Sequence, residues 1–516
     1  MSATNDSYVE LLSDIVDFSV NKFSGKDCTA QSLLIQNKYK QFSESDANAF
    51  NDVVNTLFAD NINMQIMIQA AIYHVTRNRR CLLKIYDISL TSDLSYDIAL
   101  ALYQFSSVEL FRRGMVRLDY FDELKLIRHF SNKLKSLVNT PSEYIPCQNR
   151  NSKRIVVMTS QLLTESHAPS HIVYTICNIL QNVLGYEVLI AVAAEYYESY
   201  KLLRDMVFDL FKENYDERLW GLNNVEYGDG LFPLQIYQFR VGEQYLDETI
   251  QAYNYICDFN PMYIWSVGGR SPFSELFNDF CTVVTMPCQA GLPVTDSSIL
   301  IRYLCRKEPE VEKYILSTGR ALIDMDWIEH TSLSASAIDR VSLGMNNSDY
   351  LIAVMGNRLD TEIDNDFIRI MVDSIRSNPQ IKYLLIGKCE IDFTKYGIAD
   401  SVCKLGYRDD YLSILKTADL CVNPRREGGG ASAYAAFLGT PVLTLGNCDV
   451  GDYIGNPFIC DNYDDFANVI SRYIHDEDFR KSQHKACDSI ALRDAAFNLN
   501  EELISVDHTI RELIGE

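Results

Sequence analysis

The segment with the clearest capacity to bind a ligand runs from Asn423 to Val442 and contains three consecutive glycines at 428–430. It follows a short apolar run that predicts a strand and leads into an alanine-rich stretch that predicts a helix beginning near Ser432. Glycine lets a backbone approach a ligand closely, and the free N–H groups at a helix start favour an anion. Ser432 can cap this helix or donate to a phosphate. A tight turn that binds nothing is the alternative, and neither the P-loop nor the dinucleotide glycine spacing is present.

A second candidate segment is the polar loop 159–170, which contains His167. A histidine titrates near neutral pH and can remove a proton from an acceptor hydroxyl or amide, so His167 is a candidate general base. An incidental loop histidine is the alternative. His171 lies four positions on, but no third ligand is evident, so no metal site is predicted. Gly269 and Ser271 follow another predicted strand and are expected to line the acceptor side of the same cleft.

Length and charge limit the classes of function. A chain of 516 residues exceeds one ordinary core and predicts two or three domains. A net charge of −23 opposes binding to nucleic acid or to an anionic membrane, although a small phosphorylated ligand remains compatible because distant charges are screened. The fourteen cysteines form no C-x-x-C pair, the N-terminus is polar, and no apolar run could span a bilayer. These features predict a cytoplasmic protein without a transmembrane segment.

The elements that must position these residues fall into four parts. Residues 1–140 show apolar side chains at three- and four-residue spacing and predict an all-α domain. Short β-branched runs then alternate with amphipathic helices over 152–340 and again over 348–485, the pattern of two Rossmann-like α/β domains. Residues 486–516 predict a terminal helix that packs back across the cleft. Ligands of such sheets bind beyond the carboxyl ends of the strands, so the cleft between the two domains is the expected site.

The order of short motifs between Tyr350 and Val442 resembles the donor-binding domain of GT-B glycosyltransferases, especially the family 4 group. The motifs are Met355-Gly-Asn-Arg-Leu359, Leu385-Ile-Gly387, Leu405-Gly-Tyr-Arg-Asp-Asp-Tyr-Leu412, Ala418-Asp-Leu-Cys-Val-Asn-Pro424 and Gly439-Thr-Pro-Val442. The resemblance implies a GT-B fold, in which two Rossmann-like domains face a cleft. Here an all-α domain precedes them.

The resemblance assigns roles to residues of the donor domain. It implies that Arg358 faces the donor diphosphate and that Gly429, Gly430 and Ser432 lie against the phosphates or the donor sugar. Lys388 follows a strand whose end contacts the base or a phosphate in the family. The alternative for Lys388 is a solvated loop lysine, and the alternative for Arg358 is a surface salt bridge with a neighbouring carboxylate, Asp360 or Glu362.

The sequence departs from the family at the acidic and basic positions. Retaining members carry two glutamates eight positions apart; here these positions hold Arg426 and Tyr434, with Glu427 one place along. Ile363 stands where the family has a lysine. Ribose recognition must therefore differ or be lost, and retaining stereochemistry is not predicted. Arg425 and Arg426 can supply the missing positive charge, and Arg425 and Glu427 are kept among the candidate donor-binding residues.

Together these features predict a glycosyltransferase that moves a sugar from a nucleotide diphosphate sugar, most commonly UDP, to a protein or glycan acceptor. No cofactor and no bound metal are expected. The all-α domain resembles, in architecture alone, helical domains of enzymes that glycosylate bacterial surface proteins, and could bind a protein acceptor, a partner or a second copy. One alternative is a non-catalytic GT-B subunit that binds acceptor or glycan for a partner glycosyltransferase. Another is a sugar-nucleotide epimerase, which the helical extension and the lack of a clear acid/base carboxylate pair oppose.

Overall fold

The computed structural model describes residues 5–516 except 24–25, 27, 77, 92, 113–118, 139–142, 164–166, 196–218, 228–231, 240–244, 304–305, 327–334, 427–428 and 447. Within these ranges each cysteine has a free thiol. Across the same part of the chain, no helix combines the length and the apolar character that crossing a membrane requires.

The N-terminal part is helical. Apolar side chains repeat along its helices and meet in an aromatic-rich interior, where Tyr73, Tyr103 and Phe130 are fully buried. Tyr103 and Phe130 pack with their ring centroids 5.0 Å apart. The helices are α1 (Asn5–Phe23), α2 (Thr29–Tyr39), α3 (Glu44–Leu57), α4 (Ile62–Thr76), α5 (Arg79–Thr91), α6 (Tyr96–Arg112) and α7 (Tyr120–Val138).

A first sheet of eight strands follows, in the order β3-β4-β2-β1-β5-β6-β7-β8, and only β3 runs antiparallel to its neighbour. Its central strands are continuous apolar runs because helices cover both faces of a parallel sheet. The strands are β1 (Asn151–Thr159), β2 (Glu187–Val192), β3 (Gly221–Tyr227), β4 (Phe232–Gln238), β5 (Pro261–Gly268), β6 (Val283–Pro287), β7 (Ile299–Tyr303) and β8 (Ala321–Met325). The helices are α8 (Ala168–Asn178), α9 (Tyr245–Phe259), α10 (Pro272–Glu275) and α11 (Pro309–Ser317).

A second sheet is wholly parallel, with the order β11-β10-β9-β12-β13-β14. Its strands are β9 (Tyr350–Met355), β10 (Ile381–Ile386), β11 (Val402–Gly406), β12 (Leu420–Val422), β13 (Val442–Leu445) and β14 (Ile459–Cys460). Its helices are α12 (Leu359–Glu362), α13 (Asn365–Ser377), α14 (Tyr411–Thr417), α15 (Tyr434–Phe437), α16 (Asp449–Ile454), α17 (Phe466–His475), α18 (Glu477–Ala496) and α19 (Leu499–Ile514). The predicted α/β class is confirmed.

The hydrophobic core does not divide where the sequence pattern changes. One continuous cluster of buried side chains joins the N-terminal helices to the first sheet and includes Leu503, Val506 and Ile510 of α19. After β8 the chain passes to the second sheet, because Ala335 and Ile338 already pack against that sheet's core. The helical part and the first sheet are therefore one packed body.

The C-terminal helices connect the two sheets. Cys487 and Ile490 of α18 are buried in the core of the second sheet, whereas the following helix, α19, packs on the first. Asp507 of α19 is buried there and accepts hydrogen bonds from the hydroxyls of Tyr186 (3.0 Å) and Tyr263 (2.7 Å). The chain thus crosses from the second sheet to the first between α18 and α19.

Candidate functional site

The second sheet contains a crevice at the point where its strand order reverses. Strand β9 lies between β10 and β12, so the loops that follow β9 and β12 leave in opposite directions along the sheet. In open parallel sheets ligands bind at this point, outside the carboxyl ends of the strands. Residues 356–358 lie on one side of the crevice and residues 423–426 and 429–430 on the other, and they include most of the predicted donor-binding residues.

Arg426 lies at the centre of this crevice with only 4% of its side chain exposed. Its Nε donates to Asn423 Oδ1 at 2.8 Å, and Nη2 donates to the Met355 carbonyl at 2.7 Å and to Ser432 Oγ at 2.8 Å. Nη1 donates to Glu362 Oε2 at 2.6 Å. A buried guanidinium requires such pairing, and here it joins the end of β9 to the loop after β12.

Glu362, the last residue of α12, is shared by two arginines. Its Oε2 accepts from Arg426, and its Oε1 accepts from Arg358 Nε at 3.1 Å. The Glu362 side chain is 5% exposed, whereas the Arg358 side chain is 32% exposed and lies at the mouth of the crevice. Of the two carboxylates considered as partners for Arg358, Asp360 and Glu362, the structure shows an ion pair with Glu362. This pair neutralises part of the Arg358 charge.

The glycine-rich segment contacts Arg426 in this structure. Gly429 has φ +78°, and a Cβ placed there would overlap the Arg426 guanidinium; a Cβ on Gly356, across the crevice, would do the same. A Cβ on Gly430 would lie 3.5 Å from the Tyr453 ring. Glycine is thus required here because an arginine side chain fills the space between two backbones.

Of the two roles considered for Ser432, the structure bears on the helix cap. The Ser432 side chain is fully buried and accepts a hydrogen bond from Arg426. The helical turn starts earlier, as the 3-10 segment Gly430–Ala433. Its N-cap residue is Gly429, which has no side chain that could cap the turn. The prediction that Ser432 caps an α-helix is therefore wrong, because the alanine-rich stretch begins as a 3-10 turn and only Tyr434–Phe437 is α-helical.

Two other candidate side chains point outward at the rim of the crevice. Arg425 is exposed, and its guanidinium carbon lies 4.4 Å from the centre of the Tyr463 ring while its N–H donates to the Tyr463 hydroxyl. Lys388, after β10, is also exposed. Glu427 lies outside the described residues.

His167 stands on the first sheet's side, directly before α8. It is half-buried, and burial lowers the pKa of its imidazole below the ordinary value of 6.5. Its Nδ1 lies 2.9 Å from Ser170 Oγ, which also accepts from the Leu163 N–H at 2.8 Å. When Nδ1–H donates to Ser170, the lone pair on Nε2 is the proton acceptor. A base role requires that tautomer, and the lowered pKa keeps the ring neutral at pH 7.

A buried carboxylate that the sequence analysis did not select lies at the switch point of the first sheet. Glu195 follows β2 and is 3% exposed. It accepts from Ser160 Oγ at 2.6 Å and from the Phe273 N–H at 3.0 Å, and burial raises the pKa of its carboxyl. Its position just beyond a predicted strand is the sequence feature that could have identified Glu195 as a candidate. Glu195 thereby ties together the loops that follow β1, β2 and β5.

The two acceptor-side candidates belong to this same group of loops. Gly269 has φ +68°, and a Cβ there would lie 3.1 Å from Pro293 Cβ, so only glycine fits without displacement. Ser271 caps α10 by accepting from the Ser274 N–H at 3.0 Å, and its side chain also bonds Glu195. Between them, Arg270 pairs with Glu123 of α7 at 2.7 Å, which brings the helical part of the protein to the edge of this site.

The two α/β parts meet along helix α16. Asp449 Oδ1 accepts from the Ala290 N–H at 3.3 Å, and Asp452 pairs with Arg306 at 2.7 Å. These aspartates hold the two sides of the cleft together. Among the described residues, no cluster of three His, Cys, Asp or Glu side chains has the arrangement of a metal site.

Two Rossmann-like sheets face a cleft, and a helical part precedes them in the chain. This is the architecture of GT-B glycosyltransferases, which confirms the predicted fold. An O-GlcNAc transferase from Thermobaculum terrenum matches with a TM-score of 0.56 over 99% of this chain and 98% of its own, at 12% identity. This match includes the N-terminal helices.

Two further solved structures match a smaller share of the chain. A sucrose-phosphate synthase from Thermosynechococcus elongatus covers 70% of this chain and 99% of its own, with a TM-score of 0.48 at 13% identity. Anabaena HepE in complex with UDP covers 70% and 99%, with a TM-score of 0.46 at 13% identity. No protein-family model and no curated protein matches the sequence. The fold assignment therefore depends on the transferase that matches the whole chain.

Proposed function

We propose that this protein is a glycosyltransferase that moves a sugar from a nucleotide diphosphate sugar, with UDP as the nucleotide, to a protein or glycan acceptor in the cytoplasm. The observation that carries the proposal is the pair of guanidinium groups, Arg358 and Arg426, at the switch point of a GT-B donor-side sheet. Arginine is suited to phosphate because its planar fork forms paired hydrogen bonds. The proposed reaction needs no metal ion and no cofactor.

In the proposed reaction the bond between the sugar C1 and the diphosphate oxygen breaks, and the acceptor oxygen bonds to C1. The leaving diphosphate is an anion, which Arg358 and the rim cations Lys388 and Arg425 stabilise electrostatically. The acceptor proton passes to Nε2 of His167. Arg426 holds the two loops at the geometry that these contacts require, since it hydrogen-bonds both of them.

The helical part is proposed to help place the acceptor. Its helix α7 reaches the acceptor-side loops through the Arg270–Glu123 pair and through Arg128, which bonds both carboxylate oxygens of Asp296 at 2.5 and 2.6 Å. The structural match to an O-GlcNAc transferase includes these helices, which supports a role for them in a protein of the same architecture. A partner or a second copy of the chain would bind on their outer surface.

The test is thermal stabilisation of the purified protein by UDP-, GDP-, dTDP- and CMP-sugars. A ligand at one hundred times its Kd should add about 2.7 kcal/mol to the free energy of unfolding, which shifts the melting curve visibly. We expect a shift with the UDP-sugars that Arg358→Ala abolishes. Arg369→Ala is the matched control, because it removes an exposed guanidinium of the same domain, paired with Asp464 outside the crevice.

A second candidate function has one observation in its favour. The space between Gly356 and Gly429 is filled by Arg426, so the protein could be a GT-B subunit that binds acceptor or glycan for a partner glycosyltransferase without binding donor itself. No shift with any nucleotide sugar, together with retained binding of a glycan or protein, would replace the transferase proposal with this one.

A further inference from the structure

The carboxylate of Glu362 occupies the position of an anion between two arginines. One oxygen accepts from Arg358 and the other accepts from Arg426, at 3.1 and 2.6 Å. Carboxylate and phosphate bind guanidinium groups with the same paired geometry. The Glu362 carboxylate therefore already makes contacts with the arginines that a phosphate of the donor would make on entering the crevice.

The two arginines differ in their exposure. Arg426 is held by Asn423, Met355 and Ser432 in addition to Glu362, and the backbones at Gly356 and Gly429 enclose it. Arg358 has about a third of its side chain exposed at the crevice mouth. A ligand that enters the crevice therefore meets a buried cation and a partly exposed one, with one carboxylate between them.

Glu362 bonds the two arginines through different oxygens, so its contact with Arg358 can be exchanged separately. Glu362 is the last residue of α12 (Leu359–Glu362), and the next residue, Ile363, leaves helical geometry with φ −82° and ψ 81° before α13 starts. Exchange of the Arg358 contact leaves the Oε2 bond to Arg426 in place, together with the bonds of Arg426 to its other partners.

We propose that Glu362 is an internal competitor for the donor diphosphate and sets the affinity for the nucleotide. In the free protein it neutralises Arg358 and Arg426; when donor binds, the phosphate takes over the Arg358 contact, while the carboxylate keeps its bond to the buried Arg426. This inference rests on the proposed function, since it requires that a nucleotide diphosphate enters the crevice. It predicts weaker donor binding than two unopposed arginines would provide.

The decisive variant is Glu362→Gln, which keeps the shape and removes the charge. Isothermal titration of UDP should show an affinity about tenfold higher or more, because a full negative charge near the phosphate is removed. Uridine, which has no phosphate, should bind as it does to the wild type. The matched control is Glu390→Gln, an exposed glutamate on the neighbouring loop whose loss changes the net charge equally.

The outcomes separate the two proposals. Binding of UDP by the wild type with no gain in Glu362→Gln, or an equal gain for uridine, overturns the competitor role and leaves the transferase intact. UDP binding by neither protein contradicts the proposed function itself. If Glu362→Gln does not fold, Glu362→Asp retains the charge but is one methylene too short to bridge both arginines. It should then raise UDP affinity by a smaller factor, and no rise overturns the inference.

Discussion

Replacing Asp507 should detach the C-terminal helix from the first sheet. This aspartate of α19 is 3% exposed and accepts from the hydroxyls of Tyr263 and Tyr186 at 2.7 and 3.0 Å. Those tyrosines lie 244 and 321 positions earlier in the chain, so the contact closes the path of the polypeptide back onto the first sheet. The perturbation is Asp507→Ala, which removes the acceptor and leaves the helix backbone unchanged.

The magnitude follows from what the substitution leaves behind. Tyr263 is fully buried and loses its acceptor, which costs about 1–3 kcal/mol for an unsatisfied polar group. Tyr186 loses one as well but keeps Arg511, whose Nη1 donates to its hydroxyl at 3.0 Å, so its loss is smaller. The relief of a buried charge offsets part of the sum. We expect a net loss of about 3 kcal/mol.

Tryptophan fluorescence during urea unfolding is the assay. Trp220 and Trp265 lie beside and within the first sheet, and none of the three tryptophans falls in 348–485, so the signal reports the part that α19 braces. Glu512→Ala on the same helix is the control, because that carboxylate is 67% exposed and its loss should change the free energy by less than about 0.5 kcal/mol.

A fluorescence transition for Asp507→Ala within about 0.5 kcal/mol of the wild type would refute the reasoning. The triple variant Asp507→Leu, Tyr186→Phe, Tyr263→Phe adds a second check. It removes the unsatisfied groups together with the acceptor, and it should recover most of the stability because matched apolar groups replace both partners. Failure to recover would show that the packing of α19 dominates over these hydrogen bonds.

Two further predictions concern pH. Burial lowers the pKa of His167, so kcat/KM for sugar transfer should fall as pH falls through a midpoint below 6.5, and His167→Gln should remove that acidic limb; a limb that survives would exclude His167 as the base. Burial raises the pKa of Glu275 from 4.5 to about 7, so the folded state holds a proton that the unfolded state releases. The contribution of Glu275 to stability is present below pH 4.5 and is lost as pH rises through about 7. In urea unfolding between pH 4.5 and 7.5, the wild type should therefore lose stability relative to Glu275→Gln. A constant difference would contradict this, and the exposed Glu310→Gln is the control.

The central strands could be predicted because their signal is local. Glu187–Val192 and Tyr350–Met355 begin and end where the sequence pattern places them, since a buried parallel strand must be a continuous apolar run. The strands β3, β7 and β8, which lie at or next to the edges of the first sheet, did not stand out. β3 carries polar residues such as Asn224 on an exposed antiparallel edge, and β7 and β8 contain Arg302 and Asp324, which pair with each other across the sheet.

The crevice of the second sheet was only partly predictable. The motif order located both sides of it, and the substitution of Arg426 for an acidic family residue was visible. The partner of Arg426 could not be predicted, because Glu362 lies 64 positions earlier in the chain and no local sequence pattern links the two residues. The hydrogen bond from Arg426 to Ser432 was not predictable either, because it depends on how the loop folds back.

The sequence by itself determined the central strands, the turns at Gly269 and Gly429 and the GT-B order of elements, because steric limits on φ and the burial of apolar runs act over a few residues. The tertiary structure decided which charges neutralise each other. Parallel sheets bring the ends of distant strands to one edge, and there Glu362 meets Arg358 and Arg426, and Glu195 meets Ser160. Ion pairing depends on distance in space, and only the packed sheets set that distance.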